Sequence, residues 1–319
     1  VVDQRDEDPG HGLLSTALAD ALRAVVARDR RAVCVLNRRG RARLLACRTC
    51  NELARCEQCG STVEQRGATT EPRVTEPREA LVCARCGSER PLVCLHCHGG
   101  TFRAVRPGIT RVRDDLVALL PRVEVASVDV ATEGVPDAAV LIGTEAVLHR
   151  VAPGGAVALV AYLELDQELL APRARASEQA LWLIARGARL LDATSTGDGA
   201  RLLLQTRIPD HEVVTAVRRG DPRPLVEADA ARREALGFPP FGGLAELGGA
   251  PDVVAAACDA VAGLGVTVLG PVVDGRSHSA RALLRAPSTA ALGDALASPG
   301  VEAARGRGRL RIDVDPRRV

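Results

Sequence analysis

The sequence predicts an α/β protein whose parallel sheet is interrupted by a cysteine-rich insertion and followed by a smaller α/β domain. Short, nearly all-apolar segments such as 138–142 and 157–163 alternate with amphipathic helical segments. This alternation is typical of a parallel sheet that is covered on both faces. Eight cysteines, in four C-x-x-C pairs, lie between two of these elements. The length of 319 residues suits about two domains.

The spacing of apolar residues predicts each element in order. In the first domain we expect a helix at 13–26, a strand at 32–36, a helix at 111–120, strands at 123–128, 138–142 and 157–163, a helix at 177–186, a strand at 201–206 and a helix at 211–219. In the second we expect a strand at 243–248, a helix at 251–263, strands at 266–273 and 280–286, a helix at 288–297 and a strand at 309–314. The predicted divisions are 1–46 with 99–219, an insertion at 47–98, a connector at 220–242 and a C-terminal domain at 243–319.

Composition excludes several classes of protein. The chain contains no Lys, so it has no P-loop, which needs a Lys to reach the β- and γ-phosphates. The acidic start is unlike a signal peptide, and no apolar stretch approaches the ~18 residues of a membrane helix, so we expect a cytoplasmic protein. Because the chain has no Met, even at position 1, we expect the natural protein to extend upstream.

The four C-x-x-C pairs predict two structural Cys₄ zinc sites, since two such turns complete a tetrahedral set of thiolates. The residue after each pair must adopt a left-handed conformation, which Gly, Asn and His tolerate best. These residues are Asn51, Gly60, Gly87 and His98. Four pairs can combine in three ways, and spacing alone does not choose among them. Cys34 and Cys258 stand outside the pairs, and we expect both to be buried structural residues.

Two arginine-rich segments suggest a polyanionic partner. Residues 36–113 contain 15 Arg and 7 acidic residues, a net charge of +8, which falls to +4 with eight thiolates and two Zn²⁺. Near the C-terminus, three arginines alternate with glycines over 305–309 and could follow a phosphate backbone. The alternatives are a solvated face for the first segment and a flexible hairpin for the second.

Several motifs resemble the PriA family of bacterial replication-restart helicases, also called primosomal protein N′. They are CVLNRRGRARLLAC at 34–47, PGIT at 107–110, LIGTE at 141–145, Asp166, Arg175, Glu178, LLLQT at 202–206, GFPPF at 237–241 and IDVDP at 312–316. The Arg-rich, Lys-free composition resembles the actinobacterial members, whose helicase motifs are degraded. The resemblance covers essentially the whole chain but only the C-terminal half or so of the family.

The resemblance implies a fold, a metal arrangement and partners. The fold is a second RecA-like helicase lobe with an inserted two-zinc module, followed by a small C-terminal DNA-binding domain. The implied ligands are Cys47, Cys50, Cys94 and Cys97 for one zinc ion and Cys56, Cys59, Cys83 and Cys86 for the other. The implied partners are forked and single-stranded DNA, other primosome proteins and the replicative helicase, and the implied location is the nucleoid.

Departures from the family pattern decide the expected mechanism. Active members follow LIGT with a Lys-Gly turn, whereas this chain has EAVLHR at 145–150. Active members also carry the motif Q-x-x-G-R-x-G-R, whose arginines stabilise phosphoryl transfer. This chain has Arg186 and Arg189 nearby, but the flanking Gln and Gly residues of that motif are missing. We therefore expect no catalytic residues, no nucleotide site in this chain alone, and a non-hydrolysing scaffold that binds branched DNA.

The candidate phosphate contacts are Arg38, Arg39, Arg41, Arg43, Arg305, Arg307 and Arg309. An alternative function is an active ATP-dependent 3′–5′ helicase whose N-terminal half is missing. A distant third is a zinc redox or chaperone module, which lacks support because no C-x-x-C-x-G-x-G repeat is present.

Overall fold

The computed structural model describes residues 1–7, 12–36, 44–66, 79–83, 85–104, 109–152, 156–171, 173–192, 199–274 and 278–317. The chain divides into two compact units, Val1–Asp221 and Pro222–Val319, and the division falls inside the predicted connector at 220–242. Each unit contains its own buried apolar cluster. Among the described helices, none is both long enough and apolar enough to cross a membrane.

The first unit is built on a parallel sheet. Its elements are β1 (Val2–Asp3), α1 (Thr16–Val26), β2 (Arg31–Val35), β3 (Leu45–Cys47), β4 (Val63–Arg66), β5 (Ala80–Cys83), β6 (Glu89–Pro91), β7 (Phe102–Ala104), α2 (Ile109–Leu119), β8 (Val125–Val128), β9 (Val140–Gly143), α3 (Glu145–Arg150), β10 (Val157–Tyr162), α4 (Asp166–Leu169), α5 (Ala176–Ala188), β11 (Arg201–Thr206) and α6 (Glu212–Arg219). Six strands form one sheet in the order β1-β11-β10-β2-β9-β8, and every neighbouring pair is parallel. The predicted parallel sheet is confirmed.

Helices cover both faces of this sheet, which explains why its central strands are apolar throughout. Leu159 and Ala161 of β10 lie in a buried cluster with residues of α1 and α2. The alternate residues, Val160 and Tyr162, point to the opposite face, where α5 packs. Gly187 permits this packing, because a Cβ atom there would overlap the hydroxyl oxygen of Tyr162. The Tyr162 hydroxyl in turn donates a hydrogen bond to the carbonyl of Leu183 in α5.

The insertion leaves the sheet after β2 and returns before α2. At its base β3 and β7 pair antiparallel, with Leu45 opposite Ala104 and Cys47 opposite Phe102. Beyond this pair, β4, β5 and β6 form a three-stranded antiparallel sheet. A small apolar core lies between the two parts and includes two cysteines; its buried members are Leu45, Ala54, Cys56, Val63, Leu81 and Cys83.

The second unit is a separate α/β fold with an antiparallel sheet. Its elements are α7 (Arg223–Leu236), β12 (Gly243–Gly249), α8 (Pro251–Val261), β13 (Thr267–Asp274), β14 (Ser279–Ala286), α9 (Thr289–Leu296), α10 (Pro299–Arg307) and β15 (Leu310–Val314). The strand order is β13-β14-β12-β15, with antiparallel neighbours throughout. Counting α9 and α10 together as one helical connection, the connectivity is the β-α-β-β-α-β of the ferredoxin-like split βαβ fold.

Helix α10 corrects the sequence-based expectation for the first part of the segment 305–309. The alternating Gly and Arg residues suggested an extended or hairpin segment, but the chain is helical as far as Arg307. Val301 and Ala304 are buried three residues apart, which is the spacing of one helical face. Burial of this short apolar face therefore overrides the low helix propensity of glycine.

Candidate metal centres

The four C-x-x-C turns share one hydrogen-bond pattern. In each turn the N–H of the first cysteine donates to the carbonyl five residues later, at 2.8–2.9 Å. The N–H four residues later donates back to the carbonyl of the first cysteine, at 2.9–3.1 Å. The first cysteines of the four turns are Cys47, Cys56, Cys83 and Cys94. Four independent segments thus fold into the same tight turn.

The residue after each pair is left-handed, as predicted. The φ angle is 60° at Asn51, 67° at Gly60, 72° at Gly87 and 60° at His98. Gly60, Gly87 and His98 are exposed, whereas Asn51 is only 3% exposed. The first turn therefore differs from the other three in having an enclosed side chain at this position.

The turns combine in a nested order. Cys47, Cys50, Cys94 and Cys97 form one cluster, and Cys56, Cys59, Cys83 and Cys86 form the other. Within each cluster the four Sγ atoms lie within 4.8 Å of one another. The separations are 3.5 Å for Cys47–Cys97 and 3.6 Å for Cys50–Cys94 in the first cluster, and 3.5 Å for both Cys56–Cys86 and Cys59–Cys83 in the second. Each cluster could hold one metal ion.

Backbone amides favour the thiolate form at the first cysteine of two turns. Burial acts to raise the pKa of Cys47, but hydrogen bonds from amides of its own turn and from the thiols of Cys97 and Cys50 together outweigh burial and lower this pKa to about 7. The same balance lowers the pKa of Cys56 to about 6. At Cys50 and Cys59, burial and the neighbouring sulfurs raise the pKa to about 12. A bound cation would be needed to hold all four sulfurs of a cluster as thiolates at neutral pH.

The surroundings of the first cluster leave little room beside the sulfurs. A Cβ atom at Gly99 would lie 3.4 Å from the Sγ of Cys97, 3.5 Å from that of Cys47 and 3.0 Å from the hydroxyl oxygen of Thr49. Since four cysteines already supply a full tetrahedral set, neither cluster offers an open coordination position for a substrate. The arrangement therefore suits a structural metal.

A second polar group lies where β1, β10 and β11 end. Asp166 is fully buried and accepts hydrogen bonds from the hydroxyl of Thr206 and, at 3.0 Å, from the N–H of Arg207. The guanidinium Nη1 of Arg207 lies 3.4 Å from the Asp166 carboxylate and donates to Oε1 of Gln4 at 2.8 Å. In α/β sheets the carboxyl ends of strands commonly bind ligands. Here internal pairs occupy that position.

Glu164 is the neighbouring buried carboxyl group, at 3% exposure. Its Oε1 accepts the N–H of Gln167 at 3.1 Å, and its Oε2 has no hydrogen-bond partner among the described residues. Burial, followed by the negative charge of Asp166, raises the pKa of Glu164 to about 8. Sequence reasoning missed Gln4, Glu164 and Arg207, because nothing in the pattern distinguishes them from surface residues. Of this group, the family resemblance carried only Asp166 and Thr206.

Known proteins match this chain over most of its length. Residues 234–317 match the family described as the primosomal protein N C-terminal domain. The chain is 25% identical to replication restart protein PriA of Bacillus subtilis (strain 168) over 260 residues, which is 76% of this chain and 31% of the relative. It is 30% identical to PriA of Treponema pallidum over 248 residues, 72% of this chain and 35% of the relative. It is 32% identical to the probable PriA of Mycobacterium tuberculosis (strain H37Rv) over 247 residues, 74% of this chain and 35% of the relative.

The chain is similar to the PriA proteins over about three quarters of its length, and its C-terminal part matches the primosomal protein N C-terminal domain family. It spans about a third of the length of these curated relatives. The match to the C-terminal domain family begins near the end of α7 and includes the antiparallel sheet of the second unit.

Two places where the sequence departs from the expected family pattern, 145–150 and Arg186, lie in helices. Residues Glu145–Arg150 form helix α3, capped by the hydroxyl of Thr144. The Nε of Arg186 donates to the carbonyl of Leu148 in that helix at 3.2 Å. The Arg186 guanidinium lies 5.9 Å from the ring centroid of Trp182. Arg186 thus joins α5 to α3.

The predicted DNA contacts fall into two groups. Arg38, Arg39, Arg41 and Arg43 lie outside the described residues. Arg305, Arg307 and Arg309 are exposed in the second unit, the first two in the last turn of α10 and the third between α10 and β15. Residues two positions apart lie about 200° apart around a helix, so Arg305 and Arg307 point in different directions. A continuous row of these arginines along an extended strand is therefore excluded.

Proposed function

We propose that this chain is part of a replication-restart protein that binds branched DNA as a non-hydrolysing scaffold and helps to reload the replicative helicase. Homology to PriA supports the restart role. In this proposal residues 1–46 and 99–219 are a second RecA-like lobe, 47–98 a two-zinc module and 243–319 a DNA-binding domain joined through 220–242. Other primosome proteins are the proposed protein partners, and the nucleoid is the proposed location.

The contact of Arg186 carries the scaffold proposal. An arginine that stabilises phosphoryl transfer must reach the nucleotide, whereas the Nε of Arg186 is bonded within its own unit and its guanidinium stacks on Trp182. The absence of Lys from the sequence also supports a non-hydrolysing scaffold. Arg does not reproduce the compact, flexible ammonium of the Lys in a Lys-Gly turn.

Zinc is the metal that we propose for both clusters. Four thiolates in a closed tetrahedral set are the usual ligands of structural Zn²⁺. With Zn–S bonds of ~2.3 Å, tetrahedral sulfurs lie about 3.8 Å apart. The Cys47–Cys97 and Cys56–Cys86 separations of 3.5 Å need to expand only slightly to reach this value. Zinc would supply a crosslink between turns in each cluster.

Forked-DNA binding tests the restart proposal. We expect the zinc-loaded chain to bind a fork more tightly than duplex or single-stranded DNA of equal length in fluorescence anisotropy. Only three Phe, one Tyr and one Trp are present, so extended base stacking is not expected and binding should depend on charge. With three phosphate contacts, affinity should fall by about 40-fold between 50 and 200 mM salt.

Charge-matched variants identify the contacts. Replacing Arg305, Arg307 and Arg309 with Gln should reduce the slope of log affinity against log salt by roughly 3. The matched control replaces three exposed arginines of the first unit, Arg122, Arg218 and Arg219, and should retain the parent slope. Affinity that does not change with salt, or equal weak binding to all three DNAs, would contradict DNA recognition by this chain.

Arg186→Ala separates the scaffold from the helicase alternative. We expect no DNA-stimulated ATP turnover by the parent chain. For Arg186→Ala we expect the unfolding free energy to fall by ~1 kcal/mol, because the substitution removes a hydrogen bond and a cation–π contact. Arg189→Ala, at an exposed position of the same region, should leave the unfolding free energy unchanged. DNA-stimulated turnover that Arg186→Ala abolishes would instead support an active helicase.

Zinc release on mild oxidation with binding of unfolded proteins would support the redox or chaperone alternative.

A further inference from the structure

Asn51 has a side chain that its turn does not require. A left-handed residue after a C-x-x-C pair is accommodated most easily by glycine, which two of the other three turns use. The amide of Asn51 is instead buried and bonded on both sides. Its Nδ2 donates to the backbone carbonyl of Gln4 at 2.8 Å, and its Oδ1 accepts from Nη2 of Arg103 at 2.5 Å. The two contacts together fix the orientation of the amide.

Gln4 connects this contact to the edge of the parallel sheet. It directly follows β1, a two-residue strand that pairs with β11 at the edge of the sheet. The N–H of Gln4 donates to the carbonyl of Thr206 at 2.9 Å, and its side-chain Oε1 accepts from Arg207. Arg207 is itself paired with Asp166. A continuous set of buried hydrogen bonds therefore runs from the turn of Cys47 and Cys50 to the Arg207–Asp166 pair.

Two further contacts strengthen the connection at the first cluster. Glu52, the next residue after Asn51, lies 3.9 Å from the guanidinium of Arg5, which follows Gln4. Leu170, at the end of α4, packs on a small buried cluster at the base of the insertion, which consists of Leu44, Ala46 and Leu53. The first turn is thus docked on the sheet by polar and apolar contacts.

The second cluster has no matching connection at the equivalent positions. Gly60 and Gly87 are exposed, and a Cβ atom at either would meet nothing within 4 Å. Side chains at these positions would therefore point into open space. Among the described residues, a left-handed residue after a C-x-x-C pair contacts the sheet only in the first cluster, where that residue is Asn51.

We propose that metal binding at the first cluster is coupled, through the Asn51 amide, to the ordering of β1 and the Arg207–Asp166 pair. Metal binding holds the first turn in the conformation that presents this amide to Gln4. When the metal leaves, the turn relaxes, the amide loses its fixed position and the segment of β1 and Gln4 loses one of the contacts that hold it beside β11. This coupling rests on the metal proposed for the first cluster but not on DNA binding, because it concerns the chain without DNA or partner proteins.

Hydrogen–deuterium exchange of the full zinc-loaded chain tests the coupling. Asn51→Gly keeps a residue suited to φ of 60°, so both metal equivalents should be retained. Amides of residues 2–4 and 205–207 should nevertheless exchange about tenfold faster, because two buried hydrogen bonds are lost. His98→Gly makes the same change at another turn with φ of 60°, where the side chain is exposed, and should leave exchange at the parent rate.

A second variant and metal removal complete the test. Asn51→Asp keeps the shape and the acceptor for Arg103 but cannot donate to Gln4, so it should also speed exchange at residues 2–4. Chelation should speed exchange there more in the parent than in Asn51→Gly, because the part of the coupling carried by the amide is already broken in the variant. Parent-like exchange in both Asn51 variants, or an equal increase in His98→Gly, would overturn the proposal.

Discussion

Cys56→Ser is expected to remove one of two bound zinc ions and to unfold the outer part of the insertion, because Cys56 is both a cluster member and part of the small core there. Apparent zinc-binding free energies of structural sites reach ~10–16 kcal/mol, far more than a three-stranded sheet of this size can replace. Metal content per chain by elemental analysis and exchange across 54–66 and 79–92 would report the loss. Exchange of β10 and β11 in the parallel sheet should remain at the parent rate.

A matched cysteine replacement controls for the chemistry of the change. Cys258→Ser alters a buried cysteine in α8 of the second unit that belongs to neither cluster. It should retain two zinc ions per chain and parent-like exchange in the insertion. Full zinc stoichiometry in Cys56→Ser would contradict its assignment as a ligand.

Glu164 is expected to make the first unit less stable as the pH rises from about 5 to 8. The pKa of this carboxyl is raised to about 8 by burial and by Asp166, against a value of 4.5 for an unperturbed carboxyl. Below pH 4.5 both the folded and unfolded states are protonated, and the contribution to stability is fully present. Above it the unfolded state loses the proton first, so the contribution falls until the pH passes the folded pKa, by ~5 kcal/mol in total.

Chemical denaturation of the parent and Glu164→Gln between pH 5 and 8 would measure this effect. Because Gln is neutral throughout, the unfolding free energy of the variant should not show this fall. Between pH 5 and pH 8 the variant should therefore lose less stability than the parent. Glu302→Gln, at an exposed position of α10, should keep the parent dependence. Identical slopes for the parent and Glu164→Gln would show that Glu164 is ionised in the folded protein.

The apolar pattern was sufficient to predict the parallel sheet. Strand β11 begins and ends where the sequence predicts, at 201–206, and β10 differs by one residue. Such strands are buried on both faces, so their composition depends little on distant parts of the chain. Helix α10 was missed because its glycines and arginines obscure a buried face of only two residues, Val301 and Ala304.

Cluster formation depends on contacts that local spacing does not contain. The C-x-x-C pattern predicts the four turns and their left-handed residues, because each turn is closed by bonds within six residues. Which turns meet depends on β3 pairing with β7 and β4 with β5, which are long-range pairings. The buried group around Asp166 shows the same limit, since Gln4 and Arg207 are 203 residues apart in sequence.

The antiparallel pairing of β3 and β7 also shortens the chain that must close before β2 can pair with β9. Ala32 of β2 pairs with Val140 of β9, and the whole insertion lies between them in sequence. Once Leu45 lies beside Ala104, the chain that must close between β2 and β9 is shortened by about half. Halving a loop changes its closure free energy by only ~0.6 kcal/mol, so the contact order of the sheet matters little to its stability. The insertion is thus topologically dispensable, and a short turn joining residues 44 and 105 should leave the central strands able to find the same register.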